Sequence, residues 1–268
     1  VGVVARIQGY LLDLDGTVYR GERLIPGADR AIAELRTRGR RVLFVSNKPL
    51  YSRHGYAEIL ASLGVPATED DVVNSSFVLA RCLAQRAPGA KVYAIGEAPL
   101  LLELETAGLE LTAETDAIEY VVAAFDRTLT WDKLNAAFQA LRCGARFVAT
   151  NPDRTCPVEG GEIPDAAAVI AALEAVSGRE VEEVFGKPSP RMAEAALNVL
   201  GLSAGRCALV GDRLETDIAM ARAAGMTAIL TLTGVSTRSD LAASPIRPDH
   251  VIEGLAELPA LDAKLNER

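Results

Sequence analysis

Two carboxylates one residue apart, Asp13 and Asp15, close the run Tyr10-Leu11-Leu12-Asp13-Leu14-Asp15-Gly16-Thr17. Side chains two apart in an extended chain point the same way, so both acids can face one cavity while Leu14 packs elsewhere. Three more polar clusters follow candidate strands: Ser46-Asn47-Lys48 after "RRVLFV", Gly186-Lys187-Pro188-Ser189 after "EVEEVF", and Gly211-Asp212, with Asp217 beyond it, after "RCALV". Brought into one cavity, Asp13, Asp15 and Asp212 need a shared proton or a cation. Two unit charges ~4 Å apart at an effective dielectric of ~20 repel by about 4 kcal/mol. Hard oxygen donors without His or Cys point to Mg2+. Lys187 adds a positive charge. Ser46, the backbone N–H groups after Asp13 and the helix N-terminus behind Ser189-Pro190 can hold an anion. Carboxylates, Mg2+, lysine and hydroxyl are together what phosphoryl transfer requires.

Each cluster alone has a plainer reading. "DxDG" is compatible with a solvated turn, Ser46 with a helix cap, and "GDRLETD" with a loop and a capped helix. An EF-hand fails, because the twelfth position from Asp13 is Leu24 rather than Glu. A Walker P-loop fails too, since Val181 stands where its upstream glycine must be. A DxD of the sugar-nucleotide transferase kind leaves Lys187 and the Asp212/Asp217 pair unexplained.

The elements that must position these groups alternate between short β-branched runs and helix-period segments. Strands are predicted at 10–13, 41–46, 91–95, 120–125, 145–150, 206–211 and 227–232, with a shorter one at 180–185. Helices are predicted at 28–38, 54–63, 98–107, 131–142, 165–177, 189–200 and 214–224. Alternation of this kind predicts an α/β fold with a parallel sheet covered by helices on both faces. In open sheets of this class ligands bind outside the carboxyl ends of the strands, where the four clusters fall. Residues 78–182 carry their own strand–helix alternation and end in the turn-rich "NPDRTCPVEGGEIPD", read as a long loop. They are expected to be a second domain inserted between 1–77 and 183–268.

Bulk properties narrow the function. A net charge of −8 over 268 residues argues against nucleic acid or an anionic membrane as the main partner. No segment reaches the ~18 apolar residues of a membrane span, and no signal-peptide pattern opens the chain. Four cysteines without a CxxC spacing fit small buried hydrophobes in a reducing cytosol. With two histidines, His54 and His250, a histidine-centred triad or metal site is not expected.

In order, "DLDGTVY", "SN" at 46–47, "GKPS" at 186–189 and "GDRLETD" at 211–217 resemble the four motifs of the haloacid dehalogenase superfamily. The long interval between the second and third resembles the NagD-type and p-nitrophenyl phosphatase branch, and "RGERLIPGA" at 20–28 and "TNPDRTCP" at 150–157 do so as well. The resemblance implies a Rossmann-like doubly wound parallel core with an inserted α/β cap. It also implies a cytoplasmic Mg2+-dependent phosphatase for small phosphomonoesters, sugar phosphates among them, that can pair into a homodimer. Asp13 would be the nucleophile and Asp15 the general acid and base. Asp13, Asp212 and the Asp15 carbonyl would hold Mg2+, with Asp217 behind them. Ser46, Asn47 and Lys187 would grip the phosphoryl group. Asn151, Asp153 and Arg154, and Asp126-Arg127, are candidate cap residues for the substrate. A phosphotransferase using a sugar hydroxyl as acceptor, and a non-catalytic phosphometabolite-binding protein, are the alternatives. Two departures stand out. Lys48 replaces a second Asn and is expected to face solvent. Pro164-Asp165-Ala166 replaces a glycine-containing stretch, with Asp165 expected to cap the following helix.

Overall fold

All five residues of strand β1 (Gly9–Asp13) are buried, as a strand covered on both faces requires. The computed structural model describes residues 6–158 and 160–267. These fall into two units. The first holds residues up to Ser46, His54–Val73 and those from Lys187 onward, and the second holds Asn47–Arg53 and Asn74–Gly186. The predicted boundaries at 78 and 182 lie inside the structural ones at Asn74 and Gly186.

In the first unit β1 is followed by a small antiparallel hairpin, β2 (Tyr19–Arg20) and β3 (Arg23–Leu24). Helix α1 (Ala28–Thr37) then buries Ala28, Ala31, Ile32 and Leu35, the face expected from their spacing. Strand β4 (Arg41–Ser46), helix α2 (Arg53–Ser62) and strand β5 (Val72–Asn74) complete this part.

The second unit runs through α3 (Ser75–Arg86), β6 (Lys91–Ile95), α4 (Ala98–Thr106), β7 (Glu110–Leu111) and β8 (Tyr120–Ala123). It continues with α5 (Trp131–Arg142), β9 (Arg146–Ala149), β10 (Thr155–Val158), β11 (Gly161–Pro164), α6 (Ala166–Ser177) and β12 (Glu183–Val184). Its sheet has the order β12-β9-β8-β6-β7, and every pairing in it is parallel. Val121, Phe147 and Leu173 are central to its core.

The chain returns to the first unit with α7 (Pro190–Leu200), β13 (Cys207–Gly211), α8 (Ala219–Ala224), β14 (Thr227–Thr231), α9 (Arg238–Ala243), β15 (His250–Ile252) and α10 (Leu258–Asn266). Here the strand order is β15-β14-β13-β1-β4-β5. β1 pairs in parallel with both β13 and β4. Tyr10, Leu12, Phe44 and Val210 lie in one apolar cluster with the buried face of α1. The far end of the chain is tied in by Asp262 of α10, which accepts from Tyr10 Oη at 2.8 Å and pairs with Arg40 Nε at 2.9 Å.

The structure corrects several expectations. The strand predicted at 180–185 shortens to Glu183–Val184 and pairs with β9 of the second unit, because charged Glu180 and Glu182 suit an exposed edge. Lys187 is therefore carried by a loop leading to α7, not by a strand end of the first sheet. The turn-rich stretch from 151 contains the antiparallel hairpin β10–β11. The helix expected at 214–224 opens with a π turn, Leu214–Ile218, before α8. The unpredicted helix α3 is capped by Asn74, whose side chain accepts from Phe77 N–H at 2.9 Å. Of the cysteines, Cys156 and Cys207 are buried as expected, whereas Cys143 is exposed.

Candidate active site

Asp13 ends β1, Ser46 ends the neighbouring β4, and Asp212 follows β13 on the other side, so three adjacent strand ends carry the expected side chains. Lys187 Nζ pairs with Asp13 Oδ1 and donates to Asp217 Oδ1 at 2.6 Å, and the lysine is only 3% exposed. Thr17 Oγ1 donates to Asp13 Oδ2 at 3.4 Å. Ser46 Oγ donates to the buried Tyr56 hydroxyl at 3.2 Å. Asp15 lies half-buried in the turn after β1. Gly16 N–H donates to Tyr19 O at 2.7 Å there, and the Thr17, Val18 and Tyr19 N–H groups converge on Leu14 O.

Two glycines make room for this arrangement. Gly16 has φ +91°, and a Cβ on it would sit 2.5 Å from Asp212 Oδ2. A Cβ on Gly211 would lie 2.2 Å from Asp217 Cγ. The π turn brings Asp217 back toward its own start, where its Oδ2 accepts from Arg213 N–H at 3.1 Å.

One oxygen from each of Asp13, Asp212 and Asp217 lies within 4.8 Å of the others, and all three residues are buried. Burial, with Asp13 and Asp217 nearby, holds the Asp212 carboxyl well above the usual carboxylate range, against the opposing Val235 hydrogen bond. Asp217 is also raised, by burial first, and Lys187 pulls it back. Burial would lower Lys187, but Asp13 and Asp217 outweigh it and hold the ammonium protonated. Three acids against one lysine leave an excess of negative charge on hard oxygens, a donor set that fits a divalent cation such as Mg2+. Asp217 is engaged through both oxygens. The Asp212 carboxylate accepts from Val235 N–H through Oδ2.

The second unit holds a separate polar network. Asn47 Nδ2 donates to Asp153 Oδ2 at 3.1 Å, and Asn151 Nδ2 donates to Asp153 Oδ2 and Asp165 Oδ1 at 3.2 and 3.0 Å. Asp165 caps α6 as expected, accepting from Ala166 N–H at 2.5 Å. Burial raises its carboxyl, while the Asn151 and Ala166 hydrogen bonds and the Lys48 charge oppose. Lys48 is thus half-buried with its charge acting on Asp165, not turned to solvent as expected. Arg154 is exposed. Asp126 and Arg127 are spoken for: Lys133 Nζ donates to Asp126 Oδ2 at 2.6 Å, and Arg127 makes a two-point pair with Glu97 at 2.8 and 2.7 Å.

The structure therefore groups Asp13, Lys187, Asp212 and Asp217, and places Asp15 and Ser46 on the adjoining turn and strand end. Asn47, Asn151, Asp153 and Arg154 belong to the second unit. Thr17 and Tyr56 escaped the sequence reading. Tyr56 sits inside a helix-period segment, where an aromatic reads as core, and nothing in its spacing marks a hydroxyl aimed at Ser46.

Comparison with known proteins finds relatives along nearly the whole chain. The model of the haloacid dehalogenase-like hydrolase family matches residues 10–110, and a second, HAD-hydrolase-like, matches 184–258. The sugar-phosphatase AraL of Bacillus subtilis is 41% identical over 253 residues, covering 94% of this chain and 92% of that protein. The crystal structure of a 4-nitrophenylphosphatase from Thermotoga maritima superposes with a TM-score of 0.91 at 34% identity, covering 95% and 97% of the two chains. That of a glycerol phosphate phosphatase from Mycobacterium tuberculosis in complex with magnesium gives 0.88 at 36% identity, covering 94% and 76%. A doubly wound parallel core with an inserted α/β cap, ordered acid motifs and relatives along nearly its whole length place the chain in the haloacid dehalogenase-like hydrolase family, among the NagD-type and p-nitrophenylphosphatase proteins.

Proposed function

We propose that this protein, a hydrolase of small phosphomonoesters, works through an aspartyl-phosphate on Asp13 and takes sugar phosphates among its substrates. The observation that supports this most is the buried Lys187 bonded to both Asp13 and Asp217, with Asp212 alongside. A carboxylate oxygen of Asp13 attacks phosphorus, and the bond from phosphorus to the ester oxygen breaks. Asp15 delivers a proton to the departing alkoxide. Water then attacks the same phosphorus, its proton passes to Asp15, and the bond to Asp13 breaks to release inorganic phosphate. Lys187 and Ser46 hold the phosphoryl oxygens, and Asp217 aims Lys187. Asp13, Asp212 and the Asp15 carbonyl would hold Mg2+, which supplies charge stabilisation for the phosphoryl group when bound.

The sugar-phosphate preference follows the 41% identity to AraL. Selectivity is assigned to the second unit, where the Asn47 and Asn151 amides hold the Asp153 carboxylate and the Asp165 N–H donates to the Arg154 carbonyl. Phosphate release from p-nitrophenyl phosphate and a panel of sugar phosphates, with Mg2+ and with chelator, tests the reading. Asp13→Asn should lose on the order of 10³-fold or more in turnover. Undiminished turnover in that variant would sink the covalent route.

A further inference from the structure

The loop of residues 232–236, after β14, touches both acid-bearing segments of the first unit. Thr233 Oγ1 donates to the Gly16 carbonyl at 2.6 Å. With that proton committed, the buried Thr231 hydroxyl 2.9 Å away donates to Thr233 Oγ1. Two residues on, Val235 N–H donates to Asp212 Oδ2 at 2.6 Å, and Ser236 N–H donates to the Asp212 carbonyl at 3.0 Å. Ser236 Oγ in turn accepts from Leu214 N–H at 3.1 Å. Arg20, in β2, donates through Nη2 to the Thr233 carbonyl at 2.7 Å. The approach is close: a Cβ on Gly234 would lie 1.9 Å from Asp212 Oδ2.

We propose that Thr233 is a positioning residue, the pin of a clamp that sets the spacing between the Asp15-Gly16 turn and the Asp212 carboxylate. Gly16 is the most freely rotating residue type, and it directly follows the proposed general acid. Tyr19 O holds the Asp15–Gly16 peptide through the Gly16 N–H, and Thr233 holds the next peptide, Gly16–Thr17, through the Gly16 carbonyl, so Gly16 is fixed on both of its sides. The same loop holds one oxygen and the main chain of Asp212 through Val235 and Ser236. A displacement of about 1 Å between such groups costs ~10²-fold in rate. Partners that orient metal-binding groups typically contribute ~10–100-fold in affinity or activity.

The inference rests on the proposed roles of Asp15 and Asp212, and its test separates the two. Thr233→Val and Thr233→Ser are compared with wild type for kcat and KM on p-nitrophenyl phosphate, thermal midpoint, and Mg2+ binding by calorimetry without substrate. Thr233→Val should lower kcat about tenfold and weaken Mg2+ binding about tenfold, with KM little changed, and Thr233→Ser should restore both. Wild-type kcat and Mg2+ affinity in Thr233→Val, or an equal loss in Thr233→Ser, would overturn the clamp. Should Thr233→Val fail to fold, Arg20→Met releases the Thr233 carbonyl from outside. It should show the same two losses at about two- to threefold, and wild-type values there overturn the proposal. A wild type that turns over no phosphomonoester removes the proposed chemistry, while the calorimetric comparison still decides the clamp. A wild type that binds no Mg2+ overturns both.

Discussion

Asp126 in the second unit and Asp212 in the first are both buried acids that follow a parallel strand, and their surroundings push them in opposite directions. Burial would raise Asp126, but Lys133 and Thr128 outweigh it and leave the carboxyl below its usual range. At Asp212 burial acts in the same sense as Asp13 and Asp217, and the carboxyl rises. The first is a closed ion pair that the fold completes by itself. In the second, acids are packed against acids, an arrangement that costs stability and gains a reason only from what binds there.

The contrast can be broken by substitution, and the largest effect is expected at Asp212. Several kcal/mol of charge stabilisation are at stake there, so Asp212→Asn should lower phosphate release ~10²-fold or more. In Mg2+-free buffer the same variant should melt about 2–4 °C higher than wild type, because one repelling charge is gone. Thermal scans with and without Mg2+ check this; a lower midpoint would show that the carboxylate is paired in the metal-free state.

Lys133→Met asks the reverse question of the second unit. It strands Asp126 with Thr128 alone and should cost about 1–3 kcal/mol of stability, with turnover per folded molecule kept. The sign of its pH dependence follows from the lowered Asp126. The stabilisation is fully present above the ordinary aspartate value of ~3.9 and is lost as pH falls through the folded value. The midpoint difference between wild type and Lys133→Met should therefore be full near neutrality and shrink below about pH 4. A difference that grows on acidification would refute the pairing. The smallest effect belongs to exposed Arg154, where Arg154→Ala should leave stability within about 0.5 kcal/mol. Its expected signature is a change in KM that differs between a sugar phosphate and p-nitrophenyl phosphate. Uniform kinetics across both would remove Arg154 from selectivity.

Much of the first unit's chemistry was legible because it sits at strand ends, where an apolar run stops and a polar residue must follow. Asp13, Ser46 and Asp212 could be found that way. Lys187 was found through "GKPS", although the strand expected to present it belongs to the other sheet. The clamp was not legible, since Val235 and Ser236 act through backbone N–H groups that any residue type supplies. Gly234 reads as a turn until the Asp212 carboxylate is seen against it. Asn47 was read by its neighbour Ser46, yet its amide goes to Asp153, a pairing across a hundred positions that no local spacing encodes. The β10–β11 hairpin was hidden for a related reason: Pro, Gly and Asp punctuate that stretch so densely that it reads as loop.

The interruption of the first unit by the second has a consequence for biosynthesis. β1 emerges early and finds β4 soon afterwards, but its other neighbour, β13, and the Asp262 partner of Tyr10 are translated only after the whole second unit. The Asn74–Gly186 segment, with its own parallel sheet, is complete while the six-stranded sheet of the first unit still lacks β13, β14 and β15. Pairings so distant along the chain form slowly. The acid cluster is thus among the last features to come together, and until Asp212, Asp217 and Lys187 leave the ribosome, Asp13 is an ordinary aspartate at the end of an unfinished edge.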